Sequence, residues 1–373
     1  MLKESVLERR GREHREPLIR MAERASISPK KAWTIRAIAL LGALIVGGLL
    51  ILVLGHNPFA VYANMLQGAF GRKIAIQETV KVMIPLLVTG IAISLAFKMR
   101  FWNIGAQGQI LMGGVAATAV VVYGQAIPQV PRLILMAAAA IVAGGLYGAI
   151  PAVFKAKWNT NETLFTLMLN YIAIQLIVFL YYQPNWQMAG TSFPKIRTFD
   201  IASRLPRVFG VHIGWIIALV LVVAAYFYIS KTKQGYEISV VGESPNTARY
   251  AGMSVAKVII RTMFISAAIA GLVGFLQVAG ADGTLTESTG GDAGFTAITV
   301  AWLAKMNPFG MVVVSLFIAV LMRGSNSIQT AYGIPASAAS LLTGLILFFM
   351  LGCEFFISYR LIFRRRGREE EAQ

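Results

Sequence analysis

Long apolar runs constrain this sequence more than anything else in it. Ten recur, near 35–54, 78–97, 104–123, 132–154, 163–182, 212–230, 258–279, 293–304, 308–323 and 336–357. About 20 apolar residues in a helix reach across the hydrocarbon of a bilayer. In hydrocarbon each backbone N–H and C=O needs a partner inside the protein, so uninterrupted runs of this length are helices. The expected fold is therefore all-α, a polytopic membrane bundle of about ten spans. Ten spans would accommodate two related fives, but the residues show no clear repeat. The eighth run is short and ends at Lys305-Met306-Asn307-Pro308, which predicts a broken or re-entrant helix. Residues 57–70 have helical apolar spacing but cannot span, so a helix at the interface or packed on the bundle is expected there.

The remaining composition fits around those runs. Of 373 residues, 57% are hydrophobic and 14% charged, which leaves little for a separate soluble domain. The net charge of +17 would suit nucleic acid, but membrane proteins gather Lys and Arg on the cytoplasmic side of short loops. If the N-terminus is inside and every run crosses, 25 of the 34 Lys and Arg fall inside. That bias predicts both ends in the cytoplasm and no nucleic-acid partner. It divides the chain into a basic cytoplasmic tail over 1–34, a membrane domain over 35–357 and a cytoplasmic tail over 358–373. Loop 231–257 is then cytoplasmic, and 183–211 and 281–292 lie outside. The tails read as solvated segments that also meet membrane lipid.

Several classes of chemistry are excluded. A single cysteine, Cys353, allows no disulfide within the chain. His14, His56 and His212 stand far apart without partners at metal spacing, so no metal site is expected. No glycine is followed by lysine, so no phosphate-binding GxxxxGK[ST] loop exists and the chain is not itself an ATPase. No nucleophile–base pair appears, which argues against an enzyme. Ionisable residues are scarce in the runs; Glu354 lies within reach of Arg360. Proton- or ion-driven pumps need buried carboxylates, so a neutral polar substrate driven by an external engine fits better.

Two stretches carry the functional reading. In loop 231–257, Ser244 can cap a helix, Pro245 suits its first position, and Gly252 suits the left-handed residue beyond its end. The predicted helix, Pro245 to Ala251, is a compact docking knob. The second stretch is FWNIGAQGQ, residues 101–109, set between two apolar runs. Asn103 and Gln107 are four apart and share a helical face, and Gly105 and Gly108 admit a second backbone. Amides there must face protein or a polar cavity. Asn103, Gln107, Gln109, Asn170 and Gln277 are thus either joints between helices or the lining of a substrate path, with the larger substrate-dependent effects expected at Asn103 or Gln107. Trp102, Tyr171 and Trp302 are candidates for stacking a base or for ordinary packing. The acidic loop ADGTLTESTGGDAG, 281–294, is expected to be mobile and solvated, or to contact a partner or the mouth of the path.

These motifs resemble those of a known family. NTARYAG, 246–252, resembles the EAA…G loop of ATP-binding-cassette (ABC) importer permeases, with Ala248 and Gly252 at the matching positions. FWNIGAQGQILMGG is similar to the NIGAEGQ signature of the branched-chain-type permeases, with Gln107 where Glu is commoner. NETLFTLMLNYIA at 161–173, GYEISVVGESPNTARYAG at 235–252 and FTAITVAWLAKMNPFG at 295–310 resemble three further segments of that group, whose permeases for nucleosides are the nearest in pattern and those for simple sugars next.

The resemblance implies a multi-pass subunit of a bacterial inner-membrane importer that works by alternating access. Ser244, Pro245, Asn246, Thr247, Ala248, Arg249, Tyr250, Ala251 and Gly252 would form the coupling helix against the ATPase. The implied partners are ATP-binding-cassette subunits carrying ATP and magnesium, a second permease chain and an extracytoplasmic substrate-binding protein. This chain would bind no cofactor. The expected substrate is a nucleoside; the alternatives are a ribose-like sugar or, for a carrier working alone, a secondary transporter. A branched-chain amino acid fits less well, because no charged pair awaits a zwitterion.

Overall fold

A computed structural model describes residues 19–23 and 28–363; residues 1–18, 24–27 and 364–373, which make up most of both tails, lie outside the described residues. The helices, in chain order, are α1 (Pro29–Val53), α2 (Pro58–Phe70), α3 (Lys73–Lys98), α4 (Ala106–Tyr123), α5 (Gln129–Trp158), α6 (Glu162–Leu180) and α7 (Gly214–Lys231). They continue with α8 (Lys233–Glu243), α9 (Pro245–Tyr250), α10 (Val255–Leu276), α11 (Ala293–Leu303), α12 (Pro308–Tyr332) and α13 (Ala336–Ser358). The chain separates into two units, Ile51–Thr343 and a smaller one made of Met1–Leu50 with Gly344–Gln373.

Among the described residues, nine helices are long and apolar enough to cross a membrane. The eighth apolar run corrects the expected count of ten. It forms α11, whose 11 residues rise only about 16 Å. The reasons lie at its ends. Gly290 and Gly291 have positive φ just before it, and Lys305 and Met306 are left-handed just after it. A new helix then starts at once. Asn307 caps α12, accepting from the Phe309 and Gly310 amides, with Pro308 at the first turn. The ninth run, expected to stop at 323, continues as helix to Tyr332. Its polar residues read as a loop, yet they pack against α2: the Ser327 hydroxyl donates to Asn64 at 2.9 Å, and Gly324 lies against Met65. Helix α2 forms over the predicted segment because Asn57 caps it and Pro58 starts it.

The centre of the larger unit is built on α3, α4, α5 and α10. Residues 84–97 of α3 are buried without a break, which suits a helix apolar all round. Hydrocarbon gives no hydrophobic drive between helices, so close packing must hold them. Small residues provide it. Gly113 of α4 and Gly144 of α5 both meet Gly271 of α10, and Gly274 abuts the Ile110 carbonyl and the Gly114 amide. A Cβ at any of these positions would overlap backbone of the neighbouring helix.

In the smaller unit, Phe349 packs over Gly42, and Arg36 Nε donates to Glu354 Oε1 at 2.9 Å. Glu354 thus takes Arg36 as a partner; the expected partner Arg360 has its side chain outside the described residues. Strand β1 (Ile19–Glu23) pairs antiparallel with β2 (Tyr359–Phe363), with Met21 opposite Leu361.

Candidate functional site

The stretch FWNIGAQGQ is a true break. Helix α3 ends at Lys98, Arg100 reverses the chain with φ 57, and α4 begins at Ala106. Backbone groups freed by the break need partners inside the protein. Helix α6 supplies them. The Ile104 amide donates to Thr166 Oγ1 at 3.2 Å, Asn170 Nδ2 donates to the Ile104 carbonyl at 2.9 Å, and the Gly108 amide donates to Asn170 Oδ1 at 2.8 Å. Asn103, wholly buried, pairs with Gln109 through two reciprocal amide bonds of 3.1 Å and accepts from the Gly105 amide. Gly105 and Gly108 are required because a Cβ would strike Thr166 and Asn170.

Gln107 reaches elsewhere. Its Oε1 accepts from the Gly294 amide at 3.0 Å and its Nε2 donates to the Thr289 carbonyl at 3.4 Å. It therefore caps α11 and ties the first break to loop 283–292. That loop is not the free, solvated segment expected: Leu285 and Thr289 are wholly buried. Four of the five singled-out amides are thus spent on neighbours, as joints. Asn103→Leu should strip the buried Gln109 amide of both its bonds with Asn103 and lower stability by about 1–2 kcal/mol. Thermal melting of the detergent-purified protein checks this, together with uptake per inserted molecule, which should change equally for every substrate.

The remaining path candidates differ. Gln277 opens a π-helical turn, Gln277–Asp282, at the end of α10; it is 8% exposed, and its Oε1 has no partner among the described residues. Trp102 and Trp302 are both partly exposed and stack at 5.8 Å with planes 16° apart, with Phe97 against Trp102. Tyr171 is exposed, facing out of this chain.

The predicted helix in loop 231–257 is present as α9. Ser244 Oγ accepts from the Thr247 amide at 3.2 Å, Pro245 starts the helix, and Gly252 takes φ 75 beyond its end. It stops at Tyr250, one residue before the expected Ala251. Asn246, Thr247, Arg249, Tyr250, Ala251 and Gly252 are exposed, Tyr250 by 93%, whereas Ala248 is wholly buried and faces inward. Arg249 donates to Asn246 at 2.9 Å, stiffening the outer face. The preceding helix α8, which sequence reasoning missed, carries α9. Its Gly242 lies on the Lys98 carbonyl at the end of α3, and its Glu237 pairs with Arg261 of α10 at 2.9 Å. A cleft of about 280 Å³ between Pro245, Gly242, Arg100, Lys155 and Glu162 separates α9 from the first break.

Segment 183–213 forms a second ordered platform. Arg132 anchors it, reaching Asp200 at 2.8 Å, Ser203 at 2.9 Å and the Ile127 carbonyl at 2.8 Å. Burial pushes the Asp200 carboxyl up, but the bonds from Ser203 and Arg132 outweigh it and hold the carboxyl below its ordinary value. The platform grips the π turn: the Leu205 amide donates to the Ala279 carbonyl and the Phe199 amide to the Gly283 carbonyl, both at 2.8 Å. His212 is wholly buried beside Gly280. Burial, with Lys81 and Arg207 nearby, lowers its pKa from 6.5 to about 4. The fold holds the neutral ring, so its contribution is complete above pH 6.5 and is lost as pH falls toward 4. The melting temperature should drop across that window, by the equivalent of at most about 3 kcal/mol, and His212→Gln should flatten the drop.

The chain has known relatives. Residues 75–351 match the family model described as branched-chain amino acid transport system / permease component. The chain is 33% identical over 369 residues to a glucose ABC transporter permease protein of Haloferax volcanii, covering 95% of this chain and 97% of that one. It is 31% identical over 326 residues to a guanosine ABC transporter permease protein of Bacillus subtilis, covering 84% and 91%. A nucleoside ABC transporter permease protein of Lactococcus lactis is 30% identical over 328 residues, covering 84% and 89%.

Proposed function

The chain belongs to the branched-chain amino acid transport system / permease component family, and from that premise we propose that it is the membrane-spanning permease subunit through which an ATP-driven importer passes nucleosides. It is a multi-pass membrane protein and a transport component, and its family works with ATPase subunits and a substrate-binding protein. The observation that carries the coupled reading is the capped, outward-facing helix α9, seated through α8 on the ends of α3 and α10. A push on α9 is delivered to α3, the most buried of the spans, and to α10. Each turnover would open the bundle to alternate sides, with ATP and magnesium bound in the partner subunits and none here. In this reading the tails and residues 231–257 face the cytoplasm, 183–211 faces outside, and a second, paralogous permease chain completes the path.

The guanosine and nucleoside relatives support the substrate class, as does the scarcity of ionisable groups in the spans. A simple sugar is the second reading, favoured by the glucose relative, which matches over more of both chains. Uptake competition separates them. Labelled guanosine should be displaced by unlabelled nucleosides and left untouched by glucose or ribose in excess; displacement by glucose alone would reverse the assignment.

A further inference from the structure

Of the amides that the sequence marks as lying in or near the spans, Gln277 stands apart. Asn103, Gln107, Gln109 and Asn170 have their amides engaged by neighbours, but Gln277 Oε1 is buried without a partner among the described residues. A buried acceptor left open costs free energy, so such a group calls for an explanation. The Gln277 side chain runs against Gly290, in the turn that precedes α11. The same turn carries the exposed carboxylates Glu287 and Asp292 and the exposed hydroxyl of Ser288. No Lys or Arg occurs between Arg261 and Lys305, and neither carboxylate forms an ion pair among the described residues; Arg204 is the cation close by, against Gly283.

The turn is also held in shape. Gln107 fixes the Thr289 carbonyl on one side and the Gly294 amide on the other, and the positive φ of Gly290 and Gly291 makes the bend between them. Asp292 precedes the first residue of α11. An ionised carboxylate accepts two parallel O–H bonds, and a neighbouring amide oxygen accepts a third. A vicinal diol on a sugar ring presents two such donors about one carboxylate apart, and it carries no charge.

Resting on the permease reading, we propose that Gln277 with Asp292 and Glu287 forms a site that reads the vicinal diol of a sugar ring, the ribose of a nucleoside in this chain's substrate. The site recognises the sugar and not the base. A preorganised acceptor set of this kind discriminates most strongly against analogues lacking the hydroxyls, because its buried acceptor is then left open.

The test compares ATP-dependent uptake of a ribonucleoside and of its 2′,3′-dideoxy counterpart, with the same partner proteins in every arm and the binding protein's own preference measured separately and divided out. The wild type should favour the ribonucleoside. Gln277→Leu and Asp292→Asn should each cut ribonucleoside uptake about fivefold to tenfold and leave the dideoxy compound unchanged, so that the preference collapses. Asp292 is exposed and its amide isosteric, so that variant keeps the fold even if Gln277→Leu does not. Equal losses for both substrates, or an unchanged ratio, would overturn the diol site while leaving the permease reading intact. No ATP-dependent uptake by the wild type would overturn the permease reading, and the site with it.

Discussion

Replacing Tyr250 with Glu should abolish ATP-dependent uptake while leaving the amount of protein in the membrane unchanged. Tyr250 is 93% exposed on α9, so its ring is not part of the packed core among the described residues. A large aromatic so placed on a capped helix is the kind of residue that carries a protein interface, where truncation of such an anchor costs about 2 kcal/mol or more. That is a loss of roughly thirtyfold in assembly affinity, and a buried unpaired carboxylate adds to it. Both uptake and the stimulation of the partner ATPase by the binding protein should fall together. Ala248 makes the contrast. It is wholly buried beneath the same helix, so Ala248→Arg should lower the level of folded protein and would say little about docking. Uptake at the wild-type rate in Tyr250→Glu would show that α9 is not the coupling surface.

The second large effect concerns stability. Gly271 sits where α10 crosses both α4 and α5, and a Cβ there would overlap the Ala140 carbonyl and the Gly144 backbone. Backbone cannot rotate away as a side chain can. Overpacking a well-packed core costs about 1–3 kcal/mol, and Gly271→Leu, which strikes backbone, should exceed that, against a total stability of about 5–15 kcal/mol. Little monodisperse protein should be recovered in detergent. Gly344→Ala is the control, because a Cβ there meets nothing within 4 Å, and it should be neutral or mildly stabilising. Normal recovery of Gly271→Leu would mean that the three helices do not cross at this point.

Much of this was legible because the strongest signals are local. Apolar length placed nine full spans and flagged the eighth run as broken, and Ser244, Pro245 and Gly252 placed α9 to within one residue. What the sequence hid was long-range. Helix α8 is polar and contains Gly235 and Gly242, so it reads as loop; its glycines are there for close approach to the α7 carbonyls and to Lys98. The glycines of 281–294 read as mobility, yet at 283, 290 and 291 they set turns that fold the loop inward onto Gln107. The amides of FWNIGAQGQ announced a need for partners without naming them. Which were joints and which stood open depended on Thr166, Asn170 and Thr289, each more than 60 residues from the amide or break it serves. The paired glycines at 113–114 and 144–145, with Gly271 and Gly274, were the one overlooked signal from which the central crossing was readable.

Reconstitution bears most directly on the claim that this chain is a passive path driven by its partners. The chain is placed in liposomes with the proposed second permease, the ATPase subunits and the binding protein, and labelled nucleoside is followed over time. The account predicts accumulation above the external concentration only when ATP and magnesium are supplied on the ATPase side, and no flux through the chain alone. Accumulation driven by a proton or sodium gradient without ATPase subunits would contradict it.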